Sequence, residues 1–151
     1  MKTPTSPDKY SYQVVFENAD QYSHFELDAS QLSNDVHIGV AKTGGHYDTK
    51  WEIVIGGWSG TKSVLRDRNG GDALLTVQHT VAQFNQYRSD IKLYVTDGQL
   101  LITVNENEFM KHRDSSIKKN ELRYLLVSGG WGGSGTWAIK AAILQSKWGT
   151  T

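Results

Sequence analysis

The chain has 151 residues, a length that suits one domain with a real hydrophobic core. Its sixteen basic and sixteen acidic residues cancel, and neither sign forms a long block, which argues against a nucleic-acid partner, since phosphate neutralisation requires a basic face. Cysteine is absent, which excludes a disulfide framework, a thiol nucleophile and a thiolate metal site.

The opening MKTPTSPDKY has no apolar run and holds both prolines, Pro4 and Pro7. Residues 1–9 are therefore expected to form a flexible lead-in, neither signal peptide nor membrane anchor, ahead of a single domain over 10–151. No stretch approaches the ~18 apolar residues of a spanning helix, so no membrane insertion is expected. The chain is expected to be soluble, cytoplasmic or secreted without a visible signal peptide.

From Tyr10 onward short alternating or apolar runs are separated by Gly, Asn, Asp and Ser. YSYQVVF (10–16) and SHFELDA (23–29) alternate with the period of half-buried strands. DVHIGVA (35–41), KWEIVIG (50–56), KSVLRDR (62–68) and ALLTVQ (73–78) follow as further strands. TVAQFNQYRSD (80–90) is the best place for a helical turn, and QLSND (31–35) is a second candidate. DIKLYVT (90–96) and QLLITVN (99–105) flank Asp97-Gly98, the signature of a hairpin with a type I′ turn. The basic cluster Lys111-His112-Arg113 with Lys118-Lys119 reads as a solvated loop. ELRYLLVS (121–128) and TWAIKAAIL (136–144) complete the series. Ten or so short strands without a persuasive amphipathic helix predict an all-β, antiparallel sandwich or barrel.

Two segments repeat a pattern: WEIVIGGWSGTKSVL from Trp51 and YLLVSGGWGGSGTWAI from Tyr124. In each an apolar strand ends in Gly-Gly-Trp and a second strand follows. Glycine belongs where the chain turns sharply or another group comes close. Trp51 and Trp137 lie within strand runs and are expected to pack inward. Trp58 and Trp131 sit on glycine-rich turns, where each ring either caps the core or stands out as a platform.

These segments carry a resemblance. DVHIGV, YDTKWEIVIGGWSGTKSVLRD and ELRYLLVSGGWGGSGTWAIK resemble the domain named after farnesoic acid O-methyltransferase, over about Tyr10 to Lys140. The matching positions include Asp35, His37, Ile38, Glu52, Gly56, Gly57, Trp58, Thr61, Lys62, Ser63, Arg66, Gly130, Trp131, Gly132, Gly135 and Trp137. Between Gly70 and Asn120 the match is one of hydrophobic rhythm, anchored at Phe84 and Tyr87-Arg88. The resemblance implies a lectin-like module of jelly-roll or galectin-like architecture. The family name alone implies S-adenosylmethionine-dependent methyl transfer. Such an enzyme usually shows a parallel βαβ framework with a glycine-rich loop at a helix N-terminus, and here both Gly-Gly-Trp motifs lie between strand-like runs.

As a catalytic set, His37, Glu52, Asp35, Lys62 and Arg66 are the available groups. On a strand Asp35 and His37 share a face, so His37 could serve as a base, but no nucleophile elbow accompanies it. His24, His46, His79 and His112 lack metal-ligand spacing. Asp67, Asn69 and Asp72 could form an oxygen cage for calcium, with a simple turn as the plainer alternative. No catalytic residue, metal or cofactor is assigned. The same groups suit a saccharide site, with an indole under the sugar's C–H face and paired polar groups on its hydroxyls. The predicted ligand-binding set is Asp35, His37, Trp58, Lys62, Arg66, Gly130, Trp131 and Gly132. A structural, self-associating module is the other alternative. The apolar C-terminal run TWAIKAAILQSKW, with Ile139, Ile143, Leu144 and Trp148, predicts a homodimer through the last strand, unless that strand lies in the centre of a sheet.

Overall fold

A computed structural model describes residues 2–3, 12–32, 35–43, 49–68, 71–129 and 135–143 of the chain. Strands β1 (Lys2–Thr3), β2 (Gln13–Phe16), β3 (Tyr22–Asp28), β4 (Val36–Ala41), β5 (Thr49–Gly56) and β6 (Lys62–Arg66) come first. They are followed by β7 (Ala73–Gln78), a helix over Val81–Tyr87, β8 (Ile91–Thr96), β9 (Gln99–Val104) and β10 (Asn107–Arg113). The series ends with β11 (Tyr124–Gly129), β12 (Gly135–Thr136) and β13 (Ala138–Ile143).

The strands build two antiparallel sheets, ordered β2-β11-β4-β5-β6-β7 and β10-β9-β8-β3-β13, and β1 pairs with β12. The protein is an all-β sandwich, as the alternating runs predict. Alternation sorts the side chains. Val36, Ile38 and Val40 of β4 and Trp51, Ile53 and Ile55 of β5 face the core, where they meet Leu27, Leu93 and Ile102 of the other sheet. Trp51 and Trp137 are each 1% exposed, in agreement with their place inside strand runs. Each buried side chain of this size stabilises the fold by about 1.5–3 kcal/mol relative to exposure.

Cross-strand register then fixes what the other face of the six-stranded sheet carries. Ser128, His37, Val54, Val64 and Thr76 form one row across it. Leu126, Gly39, Glu52 and Arg66 form the next.

Two local expectations are corrected. Lys111-His112-Arg113 is not in a loop: it ends β10, an edge strand paired with β9. That strand follows Asn105 and Glu106, both at positive φ (50° and 67°), so the type I′ geometry lies here. At Asp97-Gly98 the hairpin exists, but only Gly98 has positive φ. The 114–119 segment holds that turn instead: Gly98 N donates to Ile117 O, and the Asp97 carboxylate accepts from Lys119 N. The helix lies where expected, opened by a capping box in which Thr80 Oγ1 accepts from Gln83 N and Gln83 Oε1 accepts from Thr80 N. In QLSND, Gln31 and Leu32 end a turn in which Leu32 N donates to Ala29 O, and residues 33 and 34 lie outside the described residues.

Candidate ligand-binding site

The β5–β6 connection is a left-handed turn. Gly56 (φ 76°), Trp58 (52°), Ser59 (61°) and Gly60 (81°) all have positive φ. For Trp and Ser this conformation costs on the order of 1–3 kcal/mol each, so it persists only where neighbours hold it. They do. Thr61 N donates to Gly57 O at 3.1 Å, and Thr61 Oγ1 donates to Trp58 O at 2.6 Å. Behind the turn, Gly56 N donates to the buried Ser63 Oγ at 3.0 Å, and Ser63 Oγ lies 2.7 Å from His79 Nε2. His79 Nδ1 lies 3.2 Å from Thr80 O, which can only accept. This assigns the proton to Nδ1, and Ser63 then donates to Nε2. One chain of hydrogen bonds thus ties the turn to the helix N-terminus.

The strained turn sets Trp58 outward, 49% exposed, the largest exposed aromatic side chain among the described residues. Lys62 Nζ stands 4.0 Å from its ring centroid and Arg66 Cζ 5.9 Å, a cation–π cluster at a surface position.

Beside the turn lies a groove of about 760 Å³. Asp35, just ahead of β4, and His37, Val54 and Arg66 of the sheet border it, together with residues 56–60 of the turn and Val81, Phe84, Asn85 and Arg88 of the helix region. Its polar groups are pre-organised. His37 Nε2 is 2.6 Å from Asp35 Oδ2, a pairing that the i, i+2 spacing at the start of β4 allows. Arg66 Nη1 donates to Glu52 Oε1 at 2.9 Å, across directly opposed positions of β5 and β6. Tyr12 reaches over Gly39, which has no side chain to block it, and donates to Glu52 Oε2 at 2.5 Å. Burial, followed by the neighbouring Glu52 charge, holds the Tyr12 phenol well above its ordinary pKa. Glu52 is 0% exposed, so it fixes Arg66 from beneath and offers nothing directly to a ligand.

Of the predicted binding residues, Asp35, His37, Trp58 and Arg66 border this groove, and Lys62 lies against the Trp58 ring. Gly130, Trp131 and Gly132 lie outside the described residues, as do Leu144 and Trp148. In the calcium candidate, Asn69 also lies outside, and the Asp67 carboxylate is engaged by Arg68 at 3.0 Å. No group of three or more His, Asp or Glu suited to a metal occurs among the described residues. Sequence reasoning missed the helix side of the groove. The segment TVAQFNQYRSD is where a helical turn is expected, and Phe84 and Arg88 anchor the resemblance, but neither signal says that the helix packs beside Trp58.

A family model described as "Farnesoic acid 0-methyl transferase" matches residues 6–143. The chain belongs to this family. No curated protein matches it. Among solved structures, sheep galectin-11 in complex with glycerol is similar with a TM-score of 0.53 at 11% identity, covering 89% of this chain and 100% of that one. The Caenorhabditis elegans galectin LEC-6 gives 0.55 at 12% identity, covering 96% and 95%. CG-16, a homodimeric agglutinin from chicken liver, gives 0.52 at 13% identity, covering 86% and 100%. At these identities the likeness establishes the fold: this family member is a galectin-like β-sandwich. No helix among the described residues is long and apolar enough to cross a membrane.

Proposed function

We propose that this chain is a lectin-like, non-enzymatic protein that binds a saccharide in the groove between the Gly56–Gly60 turn, the outer face of the six-stranded sheet and the Val81–Tyr87 helix. The observation that carries the reading is the Trp58 ring, held outward by a strained turn beside Arg66 and the His37–Asp35 pair. Strain at a bulky residue marks a conformation maintained for use, and a flat ring beside fixed polar groups suits a sugar with one apolar face. The Glu52 carboxylate and the Tyr12 hydroxyl hold Arg66 in a set direction, which lowers the ordering cost of binding. The galectin-like fold agrees with the reading by analogy. A homodimer, presenting one groove per copy, would raise the avidity of a shallow site.

The family's description favours methyl transfer as the second reading. Against it, the Gly-Gly-Trp turn joins two antiparallel strands and does not open a helix, so it lacks the dinucleotide- or phosphate-cradling geometry of a parallel βαβ unit. A glycan array followed by calorimetry separates the two. Saccharide binding that Trp58→Ala abolishes is the expected result. An array with no binder, together with measurable S-adenosylmethionine affinity, would replace the lectin reading with the enzyme.

A further inference from the structure

The cations of the groove and of the Trp58 ring beside it are not all balanced by carboxylates. Arg66 is taken up by Glu52, and Asp35 by His37. Arg88 and Lys62 form no ion pair among the described residues. Arg88 Nη2 donates to two backbone carbonyls, Ser30 O at 2.8 Å and Leu32 O, which carry no countercharge. Its guanidinium carbon lies 5.1 Å from the Phe84 ring. Asp28, whose charge acts on Arg88, already accepts from the Ser30 amide and hydroxyl. Arg88 therefore stands at the groove anchored through one nitrogen, with the Nε and Nη1 donors left without an acceptor among the described residues. Burial lowers its pKa, which is the behaviour of a guanidinium short of compensating charge. At the Trp58 ring, Lys62 brings a second cation that has no ion pair among the described residues.

From this imbalance we infer that the groove selects an acidic saccharide, one bearing a carboxylate or sulfate, whose oxyanion engages Arg88 and Lys62 while its ring lies against Trp58. Guanidinium donors match both oxyanions, and a partly desolvated cation gains most from a charged acceptor. Neutral sugars would leave Arg88 uncompensated.

The inference rests on the saccharide reading above, and matched ligands test the two apart. The full chain is titrated with lactose, 3′-sialyllactose and 3′-sulfolactose, with hyaluronan tetrasaccharide against chitobiose, and with polyglutamate as a charge control. At least one acidic sugar is expected to bind roughly ten-fold or more tightly than its neutral counterpart. That margin should shrink several-fold as salt shortens the screening length from ~10 Å toward ~3 Å. Whether sialyllactose or sulfolactose gains more identifies the oxyanion. Lys62→Gln and Arg88→Gln should each cut the margin; Lys62→Gln keeps the test open if Arg88→Gln fails to fold. Equal affinity for neutral and acidic partners overturns the inference and leaves the saccharide reading standing. Polyglutamate binding as tightly as the acidic sugars, or an unchanged margin in Lys62→Gln, also overturns it. Binding of no saccharide overturns both readings.

Discussion

The Phe84 ring fills the space that a side chain on Gly56 would need: a Cβ at position 56 would lie 2.2 Å from Phe84 Cε1. Gly56 also has φ of 76°, so two independent constraints require glycine there. Gly56→Ala should lose about 1–2 kcal/mol to the left-handed backbone. Overpacking against the ring adds about 1–3 kcal/mol. In urea titrations Gly56→Ala/Phe84→Ala should lose less stability than the two single variants added together, because removing the ring relieves the clash. Strict additivity would mean that the helix does not lean on the turn as described.

The two indoles of the WEIVIGGW segment should behave in opposite ways. Trp51 is 1% exposed in the core, and Trp51→Ala is expected to cost ~3–5 kcal/mol. Trp58 stands outside, and Trp58→Gly removes a bulky residue from a left-handed conformation. That variant should match the parent in stability or exceed it by about 1 kcal/mol, while saccharide binding falls at least ten-fold. Thermal melts beside binding titrations decide the matter. A large drop in Tm for Trp58→Gly would make the ring structural.

Much of this fold is legible in the sequence because half-buried strands advertise themselves by period two. The same period placed Asp35 with His37 on one face. What escaped has physical causes. β10 follows Asn105-Glu106, a left-handed pair without glycine, and its edge position lets it carry Lys111, His112 and Arg113 without an apolar signature. Glu52 enters the sequence reading as an available catalytic carboxylate, yet it is buried and Tyr12, forty positions away in sequence, covers it. The groove's helix wall is a tertiary arrangement. No local pattern brings Phe84 under Gly56 or Arg88 to the carbonyls of residues 30 and 32.

The Tyr12–Glu52 contact predicts an alkaline dependence. The folded-state pKa of Tyr12 is raised above its ordinary value of ~10, chiefly by burial and then by the Glu52 charge. Above pH ~10 the unfolded chain therefore binds fewer protons at this site than the native one, and stability falls as pH rises toward the folded pKa. Tyr12→Phe should cost about 1.5–3 kcal/mol at neutral pH, the value of a hydrogen bond to a charged group. Its deficit should narrow above pH ~10 as the parent loses that advantage. Lys119, whose pKa burial lowers, has the opposite slope but is present in both proteins, so the difference isolates Tyr12. A deficit independent of pH would show that the phenol is not held by the carboxylate.

The final prediction concerns assembly. β13 lies at the edge of the five-stranded sheet and not in its centre, and β2 lies at an edge of the six-stranded sheet. The two edges adjoin: a cleft of about 460 Å³ between them is lined by Val15, Phe16, Trp137, Ala138 and Ile139, all apolar. At the opposite side of the sandwich the edge strands β7 and β10 contact each other. A strand edge with no further strand paired to it among the described residues, beside an apolar cleft, favours pairing with another strand. A two-fold axis lets the same edge of a second copy supply it, extending a sheet through both subunits. The expected species at micromolar concentration is a dimer, with about twice the 16.9 kDa mass of one chain in light scattering. Ile139→Asp, which places a charge in the cleft, should shift the population to monomer while leaving the groove's ligand affinity per chain unchanged. A mass near that of one chain for the parent protein would overturn the dimer and leave β13 as a solvated edge.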